Sequence, residues 1–126
     1  MILVFGGAYS GKMSWVKKEF NINNEDICNC SDTNIDFSKK VIYNLHKFTY
    51  YATINSINPI NILEDNKELL KDKIIICDEI SSGIVPLKKE EREWRENTGK
   101  CLQYLSENSS KVYRIFCGIE TVIKDV

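Results

Sequence analysis

Charge of one sign is what this sequence most lacks: 17 lysines and arginines against 18 aspartates and glutamates leave a formal net charge of −1. That balance removes the electrostatic case for nucleic acid or a membrane surface as a partner. No apolar run comes near the roughly 20 residues that a membrane-spanning helix needs. No basic leader or small-residue cleavage site precedes the first apolar run, so the expected setting is the cytoplasm. Internal repeats and low-complexity tracts are missing too. At 126 residues the chain is expected to form one domain, 1–126. That is enough to bury a core but short for an enzyme that must hold both a nucleotide and a second substrate. Histidine occurs once, at His46. The five cysteines, Cys28, Cys30, Cys77, Cys101 and Cys117, sit mostly in apolar runs, which suits reduced thiols acting as small core residues. Cys28 and Cys30 form a C-x-C pair, but no second pair completes a metal site, and none is assigned to the protein.

What is present is an alternation of strand and helix signals. Ile2 to Phe5 is a continuous apolar run ending in glycines, the pattern of a buried parallel strand. From Lys12 the apolar residues Met13, Val16 and Phe20, with Trp15 beside them, recur at helical spacing as far as the turn-prone Asn21-Ile22-Asn23-Asn24. Residues 25–40 read as a surface connection with at most a short strand around Ile27 to Cys30. Val41 to Leu45 reads as a second core strand, followed by a helix face carrying Phe48, Tyr51, Ala52 and Asn55. Asn58-Pro59 marks another helix start, with proline at the first helical position. Lys73 to Asp78 is the next core strand. The following helix places Leu87, Trp94, Cys101, Leu102 and Leu105 on one face, and Lys111 to Gly118 is expected to be the last strand. The alternation predicts an α/β fold with a mostly parallel central sheet and helices on its faces.

The chemistry is concentrated where the first strand meets the first helix. Gly6-Gly7-Ala8-Tyr9-Ser10-Gly11-Lys12-Met13 matches the phosphate-loop pattern G-x-x-x-x-G-K-[ST] at every position but the last. Such a turn aims several backbone N–H groups at one spot, where the positive end of the helix dipole also favours an anion. Lys12 adds a point charge suited to the β- and γ-phosphates, so the expected ligand is a purine nucleoside triphosphate, ATP or GTP. Met13 stands where a hydroxyl usually ligates Mg²⁺, and a thioether is a poor ligand for that hard cation. Mg²⁺ would then arrive with the nucleotide, held by phosphates, waters and one carboxylate, and binding should survive better than turnover. Asp78 and Glu79 end a core strand, where an open α/β sheet collects its ligands. Glu79 is the preferred catalytic group of the two.

Three stretches carry a more specific resemblance: GGAYSGKM, then CDEISSGIVPLKKEEREWRENTGKCLQYL, then VYRIFCGIETVIK. Together they resemble the bifunctional adenosylcobinamide kinase / adenosylcobinamide-phosphate guanylyltransferase family of cobalamin assembly. There a strand leads into N-E-V-G-x-G-I-V-P, then a helix containing F-R-D-x-x-G-R-x-N-Q, then a strand ending V-x-G-I. Asp78, Glu79, Gly83, Pro86, Trp94, Arg95, Gly99 and Gly118 fall on those patterns. The resemblance spans roughly residues 1–20 and 73–124. It implies a three-layer P-loop fold, often trimeric, and a nucleotide-dependent kinase step on adenosylcobinamide. A GMP transfer from GTP through a phosphohistidine-type intermediate follows that step.

The departures point to what this chain retains. The segment that carries the family's histidine shrinks here to polar residues 31–40. Tyr43 falls where an acidic residue is expected, and His46 lies downstream of the missing segment. His46 is a candidate guanylylated nucleophile, set against a packed or surface imidazole. Gly83 suits close approach of backbone to a ligand. Arg95 either reaches a phosphate or joins the ion pairs of a solvated helix face, and Trp94 reads as core packing. The kinase step is expected to be retained more readily than guanylyl transfer, the alternative being a nucleotide-binding protein without turnover.

Overall fold

Ile2, Leu3, Val4 and Phe5 are apolar without alternation because the strand they form is covered on both faces. In the computed structural model, which describes residues 1–80 and 88–126, this strand is β1 (Ile2–Gly6). It is flanked in parallel by β4 (Ile74–Asp78) on one side and β5 (Lys111–Phe116) on the other. β3 (Val41–Tyr43) pairs in parallel with β4, and β2 (Ile27–Asn29) with β3. β6 (Ile119–Asp125) closes the far side antiparallel to β5, giving the order β2-β3-β4-β1-β5-β6. The fold is α/β with a mostly parallel sheet.

Successive strand residues point to opposite faces, which sorts the core into two layers. Val4, Val41, Ile74, Ile76 and Ile115 pack with Val16 of α1 (Lys12–Phe20) and with Ile22. Leu3, Ile42, Ile75, Cys77 and Val112 face the other way, against four helices. These are α2 (Leu45–Ile54), α3 (Pro59–Asp65), α4 (Lys67–Leu70) and α5 (Lys89–Asn108). They contribute Leu45 and Phe48, then Leu63, Leu70, and Cys101 with Leu105. As the sequence suggests, α3 starts at Pro59, and the Asn58 side chain accepts a hydrogen bond from Ile60 N–H at 3.2 Å. Cys30, Cys77 and Cys101 are core thiols, and burial pushes Cys30 and Cys101 up to about 12.

Two expectations are corrected. The second core strand stops at Tyr43, because Asn44 takes a left-handed conformation (φ 60, ψ 46) and Leu45 becomes the first residue of α2. Asparagine tolerates that region better than most residues. Lys111 to Gly118 is not one last strand either. Cys117 (φ 51) and Gly118 (φ 76) form a two-residue turn, Phe116 pairs with Ile119, and the chain returns as β6. Positive φ at both turn positions is the hairpin geometry that matches strand twist. Among the described residues no helix is long and apolar enough to cross a membrane. Leu87, expected on the face of α5, lies outside the described residues, as do Gly83 and Pro86.

Candidate functional site

The site begins where β1 runs out. A side chain on Gly6 would press on the Ile115 carbonyl oxygen, so only glycine lets the loop leave the sheet that close to β5. Tyr9 (φ 59) and Gly11 (φ 87) then turn the chain through the left-handed region into α1. Two hydrogen bonds anchor the loop to its neighbours. Glu79 N–H donates to the Gly6 carbonyl at 2.7 Å, and Gly118 N–H donates to the Ser10 carbonyl at 2.7 Å. The β5–β6 turn thus braces the glycine loop. Trp15 Nε1–H adds a tie from α1 to Glu120 of β6 at 3.2 Å.

Lys12 is buried, with its ammonium group folded back into the loop. Nζ donates to the Gly7 carbonyl at 2.7 Å, approaches Ser10 Oγ at 3.4 Å and forms an ion pair with Asp78 Oδ1 at 2.7 Å. Asp78 also meets His46 twice: its backbone N–H donates to His46 Nδ1 at 3.2 Å, and its Oδ2 lies 3.5 Å from His46 Nε2. An acceptor at Nδ1 leaves the proton of a neutral ring on Nε2, pointed at the carboxylate. Burial lowers the His46 pKa below its ordinary 6.5; the Asp78 carboxylate opposes that shift, and the Lys12 charge adds to it. The main chain of His46 is held as well, since Trp94 Nε1–H donates to the His46 backbone carbonyl at 2.8 Å.

A cavity of about 510 Å³ opens over this cluster. The loop from Ala8 to Met13 and Ser14 line one side, and Tyr43, Asn44, His46, Lys47 and Asp78 line the other. The sequence-derived candidates are therefore divided. Lys12, Asp78 and His46 meet, with the loop residues around them. Glu79 turns away, accepting from Arg114 Nε and a terminal guanidinium nitrogen at 3.3 and 3.2 Å. Arg95 sits partly buried on α5, outside the lining of this cavity. Gly83 lies outside the described residues. Asn44, Lys47 and Arg114 are site neighbours that sequence reasoning missed. For the first two the one signal was the residue type of Asn44, an asparagine inside an apolar run, and the apolar Leu45 after it conceals the turn. Arg114 is one polar residue in a strand and carries no motif.

A model of the cobinamide kinase / cobinamide phosphate guanyltransferase family matches residues 46–123, more than half of the chain. The chain belongs to this family. Comparison with curated proteins gives no match. The family match starts at His46, so the glycine loop Gly6 to Met13 lies outside the matched residues. The family's role is nucleotide-dependent cobinamide phosphorylation and guanylyl transfer in cobalamin biosynthesis.

A magnesium–nucleotide complex fits these residues in a limited way. Among the described residues Asp78 is the one carboxylate in the cavity lining, and it lies beside Lys12, while Met13 offers sulfur. Mg²⁺ keeps several waters and accepts one or two carboxylates together with phosphate oxygens, so a single aspartate is sufficient.

Proposed function

We propose that this family member catalyses the kinase step, transferring a phosphoryl group from ATP or GTP, bound with Mg²⁺, to the hydroxyl of adenosylcobinamide. The observation that carries the reading is the contact of Lys12 with Asp78 at the head of the phosphate loop. On nucleotide binding, Lys12 exchanges the Gly7 carbonyl, the Ser10 hydroxyl and the Asp78 carboxylate for phosphate oxygens, and the loop amides stabilise the charge that develops on the transferred group. Asp78 is then free to orient the acceptor hydroxyl and take its proton as the new P–O bond forms and the bond to the leaving diphosphate breaks. Bound Mg²⁺ would supply charge neutralisation on the phosphates. Glu79, paired with Arg114, supports this site from beside the start of the loop.

His46 serves Asp78 in this reading. A guanylylated histidine needs a nitrogen lone pair free to attack phosphorus. Here the Nδ1 lone pair accepts the Asp78 N–H, and Nε2 carries the proton. A second reading, a nucleotide-binding protein without turnover, is favoured by one specific observation: Met13 and Tyr43 line the cavity where a hydroxyl and a carboxylate would be expected. Incubation with adenosylcobinamide, Mg²⁺ and either ATP or GTP separates the readings. Phosphorylated product, lost in Lys12→Ala, supports the kinase. Nucleotide binding that is abolished by Lys12→Ala, with no product from the wild type, supports the second reading. A covalent GMP label lost in His46→Ala would restore the nucleophile role.

Self-association completes the proposal. Phe116, Ile119, Val122 and Ile123 are more than half exposed at the β5–β6 edge. An uncovered edge of this kind favours pairing with another copy, in line with the trimer that the family resemblance implies.

A further inference from the structure

A second cavity of about 410 Å³ opens off the same end of the sheet. It shares His46 and Lys47 with the phosphate cavity and is otherwise lined by Ser31, Tyr50, Tyr51 and Trp94. Ser31 follows β2, and the α2 residues follow β3, so this cavity lies beyond Asp78, away from β1. Its walls are aromatic and fixed. The Trp94 indole is held by its hydrogen bonds to the His46 carbonyl and to Thr49 Oγ1 at 3.1 Å. Tyr50 stands edge-on to Trp94 at 5.3 Å and 82°, and Tyr51 edge-on to Tyr50 at 5.4 Å and 84°. Both tyrosines keep about a third of their surface exposed. Rigid aromatic walls suit a broad apolar ligand face, and the volume is in the range of small-molecule sites.

We propose that this aromatic cavity is the acceptor subsite. Tyr50, Tyr51 and Trp94 bear on the apolar body of the acceptor, and its hydroxyl passes His46 and Lys47 to reach Asp78. The assignment rests on the kinase reading given above. It follows from continuity: an acceptor must place one hydroxyl beside the carboxylate that touches Lys12 while its bulk stays clear of the loop that holds the phosphates. The aromatic cavity adjoins the phosphate cavity through the two residues they share, on the β3 side of Asp78.

Binding titrations with the intact chain test this, using cobinamide alone as one probe and Mg²⁺–GTP or Mg²⁺–ATP as the other. Tyr50→Ala/Tyr51→Ala should weaken cobinamide about tenfold or more and leave nucleotide affinity within about twofold. Both positions lie on the exposed face of α2. Tyr51→Ala alone, with an unchanged melting temperature, guards against a folding defect and should show the same direction. Undiminished cobinamide binding in these variants overturns the subsite and leaves the kinase reading standing. Loss of nucleotide binding instead assigns the cavity to the base and overturns the proposal. A wild-type chain without affinity for cobinamide overturns the subsite and the kinase reading together.

Discussion

Gly6 and Gly7 are adjacent and look alike in the sequence, but their surroundings differ. A Cβ at Gly6 collides with the Ile115 backbone, whereas one at Gly7 meets nothing within 4 Å. Gly6→Ala should therefore cost about 2 kcal/mol or more through forced backbone movement, and Gly7→Ala should stay within about 0.5 kcal/mol. Denaturant midpoints of the two variants check this. His46 sets a pH dependence of definite sign. Its folded pKa lies below 6.5 because burial disfavours the imidazolium. Below that pH the unfolded chain takes up a proton that the folded chain resists, so stability is full above about 6.5 and falls as the pH drops toward the folded value. Urea midpoints between about pH 7.5 and 5.5 should show the decline, and His46→Asn should flatten it.

Among the elements, α2 and α5 are joined by a buried polar network as well as by apolar contact. Thr49 Oγ1 lies 2.7 Å from Thr98 Oγ1, donates to the His46 carbonyl and accepts from Trp94, while Asn97 donates to Thr53 Oγ1 at 3.0 Å. The two central threonines are not equivalent. Thr98→Val leaves Thr49 with two partners and should cost about 1 kcal/mol. Thr49→Val strips the fully buried Thr98 hydroxyl of its partner and should cost about 2 kcal/mol. Thermal or urea unfolding of both variants tests that order. The same network holds Trp94 against α2, so its lesion should also be felt at the aromatic cavity.

At the scale of the whole molecule, the parallel strands bring their carboxyl ends to one rim, and the glycine loop, Asp78 and His46 meet there from β1, β4 and the start of α2. The opposite feature is the β6 edge, whose apolar residues face solvent in the single chain. Sedimentation should show an oligomer for the wild type. Ile119→Asp/Ile123→Asp should shift it toward monomer, because charge on an exposed edge opposes strand pairing. A monomeric wild type at working concentration would remove the edge as an assembly surface.

Local information was enough for much of this protein. The apolar run Ile2–Phe5, the loop glycines, Lys12 and the Asn58-Pro59 helix start each specify their geometry within a few residues, so the α/β alternation and the loop were legible. Asn44 ended β3 early because a left-handed turn is a backbone choice that the apolar Leu45 beyond it conceals. The β5–β6 hairpin was hidden because Cys117-Gly118 interrupts a stretch that is apolar on both sides. Which carboxylate meets Lys12 was beyond the sequence: Asp78 closes β4 and Glu79 follows it, and the first meets Lys12 and His46 while the second meets Arg114. The sequence alone therefore determined the fold class and the strand–glycine loop–helix turn at Gly6 to Lys12, whose signals are short-range. Only the tertiary structure decided the Lys12–Asp78–His46 contacts, the brace from Gly118 and the aromatic cavity, since each joins residues distant in the chain whose side-chain directions depend on register and packing.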